Sequence, residues 1–226
     1  MNPLRKAAVF VADYAYAAFW QARALVNPVQ AGRYATAGAS KQPVVILPGI
    51  YETWQFMRPL ADYLRELGHP VHVVTALRRN TGEIPASADL VLDYLRSTEL
   101  RNVIIVAHSK GGLIGKYAMI HDTQSRIDRM IAIATPFSGS SYARFMLTPA
   151  LRAFSPTDAM LRTIGEQLEV NSRITSIAPR FDTHIPNGSE LAGATNIRLR
   201  GSGHFKIIDS AEVKAIIADA VSTEAR

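Results

Sequence analysis

Residues 103–117 read V-I-I-V-A-H-S-K-G-G-L-I-G-K-Y. Four β-favouring apolar residues run towards a serine, and two glycines then open a helical pattern. A serine placed there sits on a strand-to-helix turn, the setting of a nucleophile elbow, whose usual pattern is G-x-S-x-G. Ala107 occupies the first glycine position. Strand and helix approach closely two residues before and two residues after such a serine, so both positions need small side chains. Alanine meets that need at 107 and glycine at 111. Taken alone, the motif leaves a second reading open, a buried serine in an ordinary βα turn. The other strand ends must separate the two.

Around this stretch the pattern alternates between strand and helix. Short apolar runs predict strands at Val44–Leu47, Val71–Leu77, Asn102–Val106, Met130–Ala134, Ile174–Ala178 and Ile197–Leu199. Amphipathic stretches predict helices at 54–67, Ser87–Arg96, Leu113–His121 and Ala211–Val221. Short, largely apolar strands alternating with helices imply an α/β fold, a mostly parallel sheet of about six strands with helices on both faces. Ligands in such sheets bind beyond the carboxyl ends of the strands.

Those strand ends carry a chemical set. Ser109 follows the third strand, Asp182 the fifth and His204 the sixth. A serine hydroxyl needs an adjacent base to become a nucleophile, and a histidine needs a carboxylate to hold its tautomer. Serine, aspartate, histidine is also the chain order of such a triad on an α/β sheet. Of the six histidines, only His204 lies in a glycine-flanked loop after a strand near the C-terminus. His108 precedes the serine and should point away from the site, and His184 lies close in sequence to the acid candidate. Glu190 and Asp209 compete with Asp182, but Asp182 comes soonest after an apolar strand. Asp182 and His184 as metal ligands would lack a partner cluster.

Composition bounds the alternatives. The chain has 226 residues, 48% of them hydrophobic and 19% charged, as in ordinary globular domains. It contains no cysteine, which removes disulfides, thiolate metal sites and a cysteine nucleophile. The net charge is +6, but the basic residues are scattered, with pairs such as Arg5-Lys6 and Arg78-Arg79 as the longest runs. Nucleic-acid binders concentrate charge on one face, so nucleic acid is not an expected partner.

Residues 7–20, A-A-V-F-V-A-D-Y-A-Y-A-A-F-W, are apolar except Asp13. As a helix they would reach ~21 Å, short of a ~30 Å hydrocarbon core. Three readings stay open: a helix docked on the domain or on a second copy, a membrane-surface anchor, and a cleaved signal, against which Asp13 argues. The expected location is the cytoplasm, with a membrane surface or secretion following from the latter two. Residues 27–42 read as a linker, which gives an N-terminal helix and linker over 1–42 and a main domain over 43–226.

The motifs P-V-V-I-L-P-G-I, A-H-S-K-G-G, A-T-P-F-S-G-S and G-A-T-N-I-R-L-R-G-S-G-H-F resemble those of bacterial α/β-hydrolase lipases and esterases, over residues 43–221. Small lipases of the Bacillus type also carry alanine at the first elbow position. The resemblance implies Ser109 as nucleophile, Asp182 as acid and His204 as base. It implies an oxyanion hole from the backbone N–H groups of Ile50 and Lys110, and a short helical cap over 137–173. Relatives often carry His-Gly in place of Pro48-Gly49 and a histidine in place of Phe137. Tyr51, Phe137, Phe145 and Met146 are the candidate substrate contacts, and the chemistry asks for no metal or organic cofactor. The expected activity is hydrolysis of small-molecule or lipid esters through an acyl-serine. Acyl transfer, thioester or amide cleavage on the same triad, and a catalytically silent binding protein, are the alternatives.

Overall fold

The computed structural model describes residues 1–26, 29–36 and 41–222. Six strands, all parallel, stand in the order β2-β1-β3-β4-β5-β6. They are β1 (Val44–Leu47), β2 (Val71–Val73), β3 (Val103–His108), β4 (Ile127–Ile133), β5 (Ile174–Ala178) and β6 (Thr195–Arg198). The longer helices are α1 (Pro3–Val26), α2 (Arg58–Glu66), α3 (Ile84–Ser97), α4 (Lys110–His121) and α7 (Ala211–Ser222). Two short ones, α5 (Pro149–Arg152) and α6 (Ala159–Glu166), lie in the insert between β4 and β5.

The sheet's two faces follow from strand alternation. Val45 and Leu47 of β1 pack with Val91 and Leu95 of α3 and Leu113 of α4. Val44 and Ile46 point the other way, onto Leu60 and Leu64 of α2 and Val213 and Ile217 of α7. Tyr16, Ala17 and Trp20 of α1 join this second layer. On the opposite side α1 exposes Leu4, Val11, Phe19 and Leu25. No helix among the described residues is long and apolar enough to cross a membrane.

Several boundaries differ from the sequence reading, each for a local reason. Strand β2 ends at Val73, because Thr75–Leu77 winds into a 3-10 turn. β3 runs on to His108 and α4 begins at Lys110 rather than Leu113, since a single residue, Ser109, makes the whole turn. β6 starts at Thr195 and its side chains are mostly exposed, so it carries little apolar signal. In the linker reading, Pro28, Gly38 and the 37–40 string fall outside the described residues. Within it, Tyr34 is buried and donates to Asp62 at 2.6 Å, so this stretch is anchored to α2.

The strand order reverses direction between β1 and β3, which opens a crevice at their carboxyl ends. Helix α4 presses hard against β1 there. A Cβ on Gly111 would lie 2.2 Å from the Leu47 carbonyl oxygen, so nothing larger than glycine fits.

Lys116 of α4 is fully buried, and its Nζ has no hydrogen-bond partner among the described residues. Burial pulls its ammonium down to about 8. The unfolded chain, with a lysine pKa near ~10.4, therefore binds more protons between those values, and stability gains from Lys116 as pH rises through that window. Lys116→Met should remove this dependence and stabilise the fold at pH 7 by about 1–3 kcal/mol. Denaturant unfolding of both proteins at pH 7 and pH 10 checks this. A variant no more stable than the parent at pH 7 would contradict it.

Candidate active site

Ser109 takes φ 49° and ψ −120°, a backbone region that costs a non-glycine residue energy and persists only where neighbours enforce it. Its N–H donates to the Ile133 carbonyl at 2.9 Å, which ties the turn to β4. Ala107 is wholly buried two residues before.

The loop after β6 brings His204 to this serine. His204 Nε2 lies 3.1 Å from Ser109 Oγ, and its Nδ1 lies 3.0 and 3.1 Å from the two oxygens of Asp182. A carboxylate only accepts, so Nδ1 carries the proton and Nε2 faces the hydroxyl as an acceptor. Ser109, Asp182 and His204 are each less than a tenth exposed. Asp182 Oδ1 also accepts the N–H groups of His184 at 2.7 Å and Ile185 at 2.9 Å. Burial pushes this carboxyl up, but the His204 charge and these hydrogen bonds outweigh it and hold it below the ordinary value. At His204 burial favours the neutral ring, yet Asp182, with Glu52 and Asp13 behind it, raises the pKa. The competing acids stand elsewhere: Glu190 pairs with Arg198 on the surface and Asp209 with Lys214.

A cavity of about 580 Å³ opens over Ser109 and His204. Ile50, Tyr51 and Met146 line it, as do Leu151 and Phe154 from the insert. Helix α1 supplies another wall through Phe10, Tyr14, Ala17 and Gln21, and Gln21 donates to the Tyr51 carbonyl at 3.0 Å. Two candidate contacts do not reach the cavity. Phe137 turns into the core beside α4, while its neighbour Pro136 faces the cavity. Phe145 is 68% exposed, under the Arg144 guanidinium, because the 3-10 turn at Ala143–Phe145 buries Ala143 instead.

Lys110 is the first residue of α4, so its N–H has no partner within the helix. Its side chain points elsewhere: Nζ donates to the carbonyls of Asn80, at 2.9 Å, and Gly82. Asn80 in turn donates to the Pro48 carbonyl at 2.6 Å, which braces the turn leading to Ile50.

Sequence reasoning passed over two neighbours of His204. His108 does point away from the cavity, but its Nε2 meets the His204 carbonyl at 3.0 Å and its Nδ1 meets Glu52 at 2.9 Å. Glu52 also accepts the Gly49 N–H at 2.6 Å. Both nitrogens of His108 thus face oxygen, and the pair clamps the backbone on both sides of the site. The one available signal was an acid placed just after an apolar strand, two residues beyond the P-V-V-I-L-P-G-I motif. His184 is the second: it lines the cavity, its ring centroid 4.8 Å from that of His204. Burial and then the nearby His204 charge pull it down to about 4, so it is neutral at ordinary pH. Among the described residues, Asp182, His184 and His204 place ligand atoms within 4.8 Å of one another, close enough for a metal ion. The hydrogen bonds already made by Asp182 and His204 leave that set with little free coordinating capacity.

No family model matches the chain, and neither does any curated protein. Solved structures do. The mature form of the Bacillus licheniformis lipase BlEst2 superposes with a TM-score of 0.68 at 16% identity, over 82% of this chain and 94% of that one. The type II thioesterase BorB of the borrelidin biosynthetic cluster gives 0.59 at 17% identity, over 85% and 96%. An extracellular α/β-hydrolase from a Paenibacillus species gives 0.55 at 17% identity, over 82% and 99%. With the parallel six-stranded sheet, the insert after β4 and the crevice beyond β1 and β3, this likeness establishes that the chain has the α/β-hydrolase fold.

Proposed function

We propose that the protein is a serine hydrolase that cleaves carboxylic esters with an apolar acyl limb. The observation that carries this reading is the hydrogen-bonded line Ser109–His204–Asp182 at the floor of a largely apolar cavity. Ser109 Oγ attacks the ester carbonyl while His204 Nε2 takes the hydroxyl proton. Asp182 keeps the imidazole in the right tautomer and stabilises the imidazolium. The backbone N–H groups of Ile50 and Lys110 are the donors for the oxyanion; two such donors lower a barrier of this kind by several kcal/mol. His204 then protonates the departing alcohol, and water, deprotonated by the same ring, releases the acid from Ser109.

The apolar rings of Phe10, Phe154 and Phe181 favour an acyl chain over a charged one. Thioester cleavage uses the same residues, and one similar structure is a thioesterase. Parallel assays on matched oxygen esters and thioesters separate the two, because the leaving group alone differs.

Fluorophosphonate should label the wild-type protein at Ser109, and Ser109→Ala should abolish labelling and lower kcat by ~10⁴-fold or more. An unlabelled wild type would favour a silent binding protein, and a Ser109→Ala variant with near-normal turnover would rule out Ser109 as the nucleophile. The base must be neutral to act, and His204 is raised above its ordinary value of 6.5. Activity should therefore rise with pH through an apparent pKa above ~6.5, as kcat/KM profiles measure. His184, neutral down to about 4, adds no inflection in that range. Asp182→Asn should cost ~10³–10⁴-fold in kcat while Glu190→Gln costs little. The reverse ranking would reassign the acid.

A further inference from the structure

Asp13 is the only acidic residue of α1, and it is 1% exposed. Four donors converge on it. Its Oδ2 accepts the Thr183 hydroxyl and the His204 N–H, both at 2.7 Å. Its Oδ1 accepts the N–H groups of Phe205 and Lys206, both at 2.8 Å. Those two amides open the 3-10 turn at Lys206–Asp209, so the carboxylate occupies a capping position supplied from a distant helix. Gly203 makes the space: its φ is +116°, and a Cβ there would lie 2.7 Å from Asp13 Oδ1.

The direction of the surrounding hydrogen bonds follows from Asp13 being an acceptor. The Thr183 proton is spent on Asp13, so His184 Nδ1–H donates to Thr183 Oγ1 at 2.9 Å. His184 Nε2 is then bare and accepts the Tyr14 hydroxyl at 2.9 Å. Two adjacent residues of α1 thus hold both ends of a chain that runs along the Asp182–His184 loop.

A helix docked only to fill a groove gains nothing from a buried carboxylate, since removing one from water is costly unless donors replace the solvent. Here every donor lies on the two loops that carry the acid and the base. We propose that Asp13 is a positioning residue of the active site. Its carboxylate, lent by the N-terminal helix, locks the His204–Lys206 backbone in the conformation that sets His204 Nε2 against Ser109. The His204 peptide is then held from both sides, its N–H by Asp13 and its carbonyl by His108. This assignment rests on the serine-hydrolase reading for its catalytic meaning, but the clamp itself does not.

The test uses the full chain, with p-nitrophenyl butyrate as substrate and a fluorophosphonate as the serine probe. Asp13→Asn presents an amide nitrogen to N–H donors and removes a negative charge. We expect kcat to fall about 10–100-fold with KM within about threefold, because the ring is misaligned while the cavity stays intact. The charged and titratable groups facing His204 are Asp182, Glu52, Asp13, His184 and His108. Loss of one negative charge among them should shift the acid limb of kcat/KM to lower pH, which mere loosening of the helix would not do. Val11→Ser, on the exposed face of α1, controls for helix changes and should behave as wild type. A folded Asp13→Asn variant with unchanged kcat and pH profile overturns the proposal. Should that variant fail to fold, hydrogen exchange in the wild type decides: the His204, Phe205 and Lys206 amides must be strongly protected, and free exchange overturns the clamp. A wild type that neither labels nor turns over would refute the hydrolase reading, and the amide protection would still judge Asp13.

Discussion

The site depends on how closely the start of α4 lies against the end of β1. The Leu47 carbonyl leaves no room for a side chain on Gly111, and Thr135 leaves none on Gly112. This contact forces Ser109 into its left-handed conformation and stops the strand and starts the helix within one residue. The same contact brings the start of α4 against the Leu47 and Pro48 carbonyls, where β1 ends. Ser109 and the backbone of Lys110 are thereby placed by one packing event between a strand and a helix, before any other loop is considered. Residues behind it keep the arrangement stiff: Lys110 Nζ holds the Asn80–Gly82 loop, and Asn80 holds Pro48.

The histidine side of the site is built differently. His204 stands on a loop after an edge strand, outside any helix of its own. Its orientation comes from polar contacts in three directions: Asp182 at Nδ1, His108 at the carbonyl and Asp13 at the amide. Three of the acids involved, Asp13, Glu52 and Asp182, are buried or nearly so, and each is surrounded by donors. Negative charge concentrated around one imidazole favours its protonated form, which is the form the proposed reaction passes through. The network therefore aims the ring and favours its charged form.

Much of this was legible in the chain. Ser109, Asp182 and His204 lie at strand ends, and strand ends are marked by short apolar runs whose length and position the pattern reveals. The parallel sheet followed from the same alternation. What could not be read were contacts between segments remote in sequence. Phe137 and Phe145 looked alike as apolar residues of the insert, yet one faces the core and the other the solvent, a choice made by local turns with no period to follow. Asp13 looked like a blemish in an apolar helix, because its partners are backbone amides some 190 residues away, and amides carry no sequence signal. Glu52 acts through His108, 56 positions away, a contact that no local pattern marks.

The bond between Asp13 and His204 spans 191 positions. During synthesis the helix that carries Asp13 is made long before the loop that satisfies it, and its carboxylate stays in water until that loop exists. Closing so long a span carries an entropic cost that grows only slowly with length, but it must be met before the contact returns anything. The serine turn, by contrast, needs only β1, β3, α4 and the end of β4. The two halves of the site therefore draw on different spans of chain: the contacts that shape the serine turn reach no further than Thr135, whereas the histidine loop relies on a contact between the two ends of the fold.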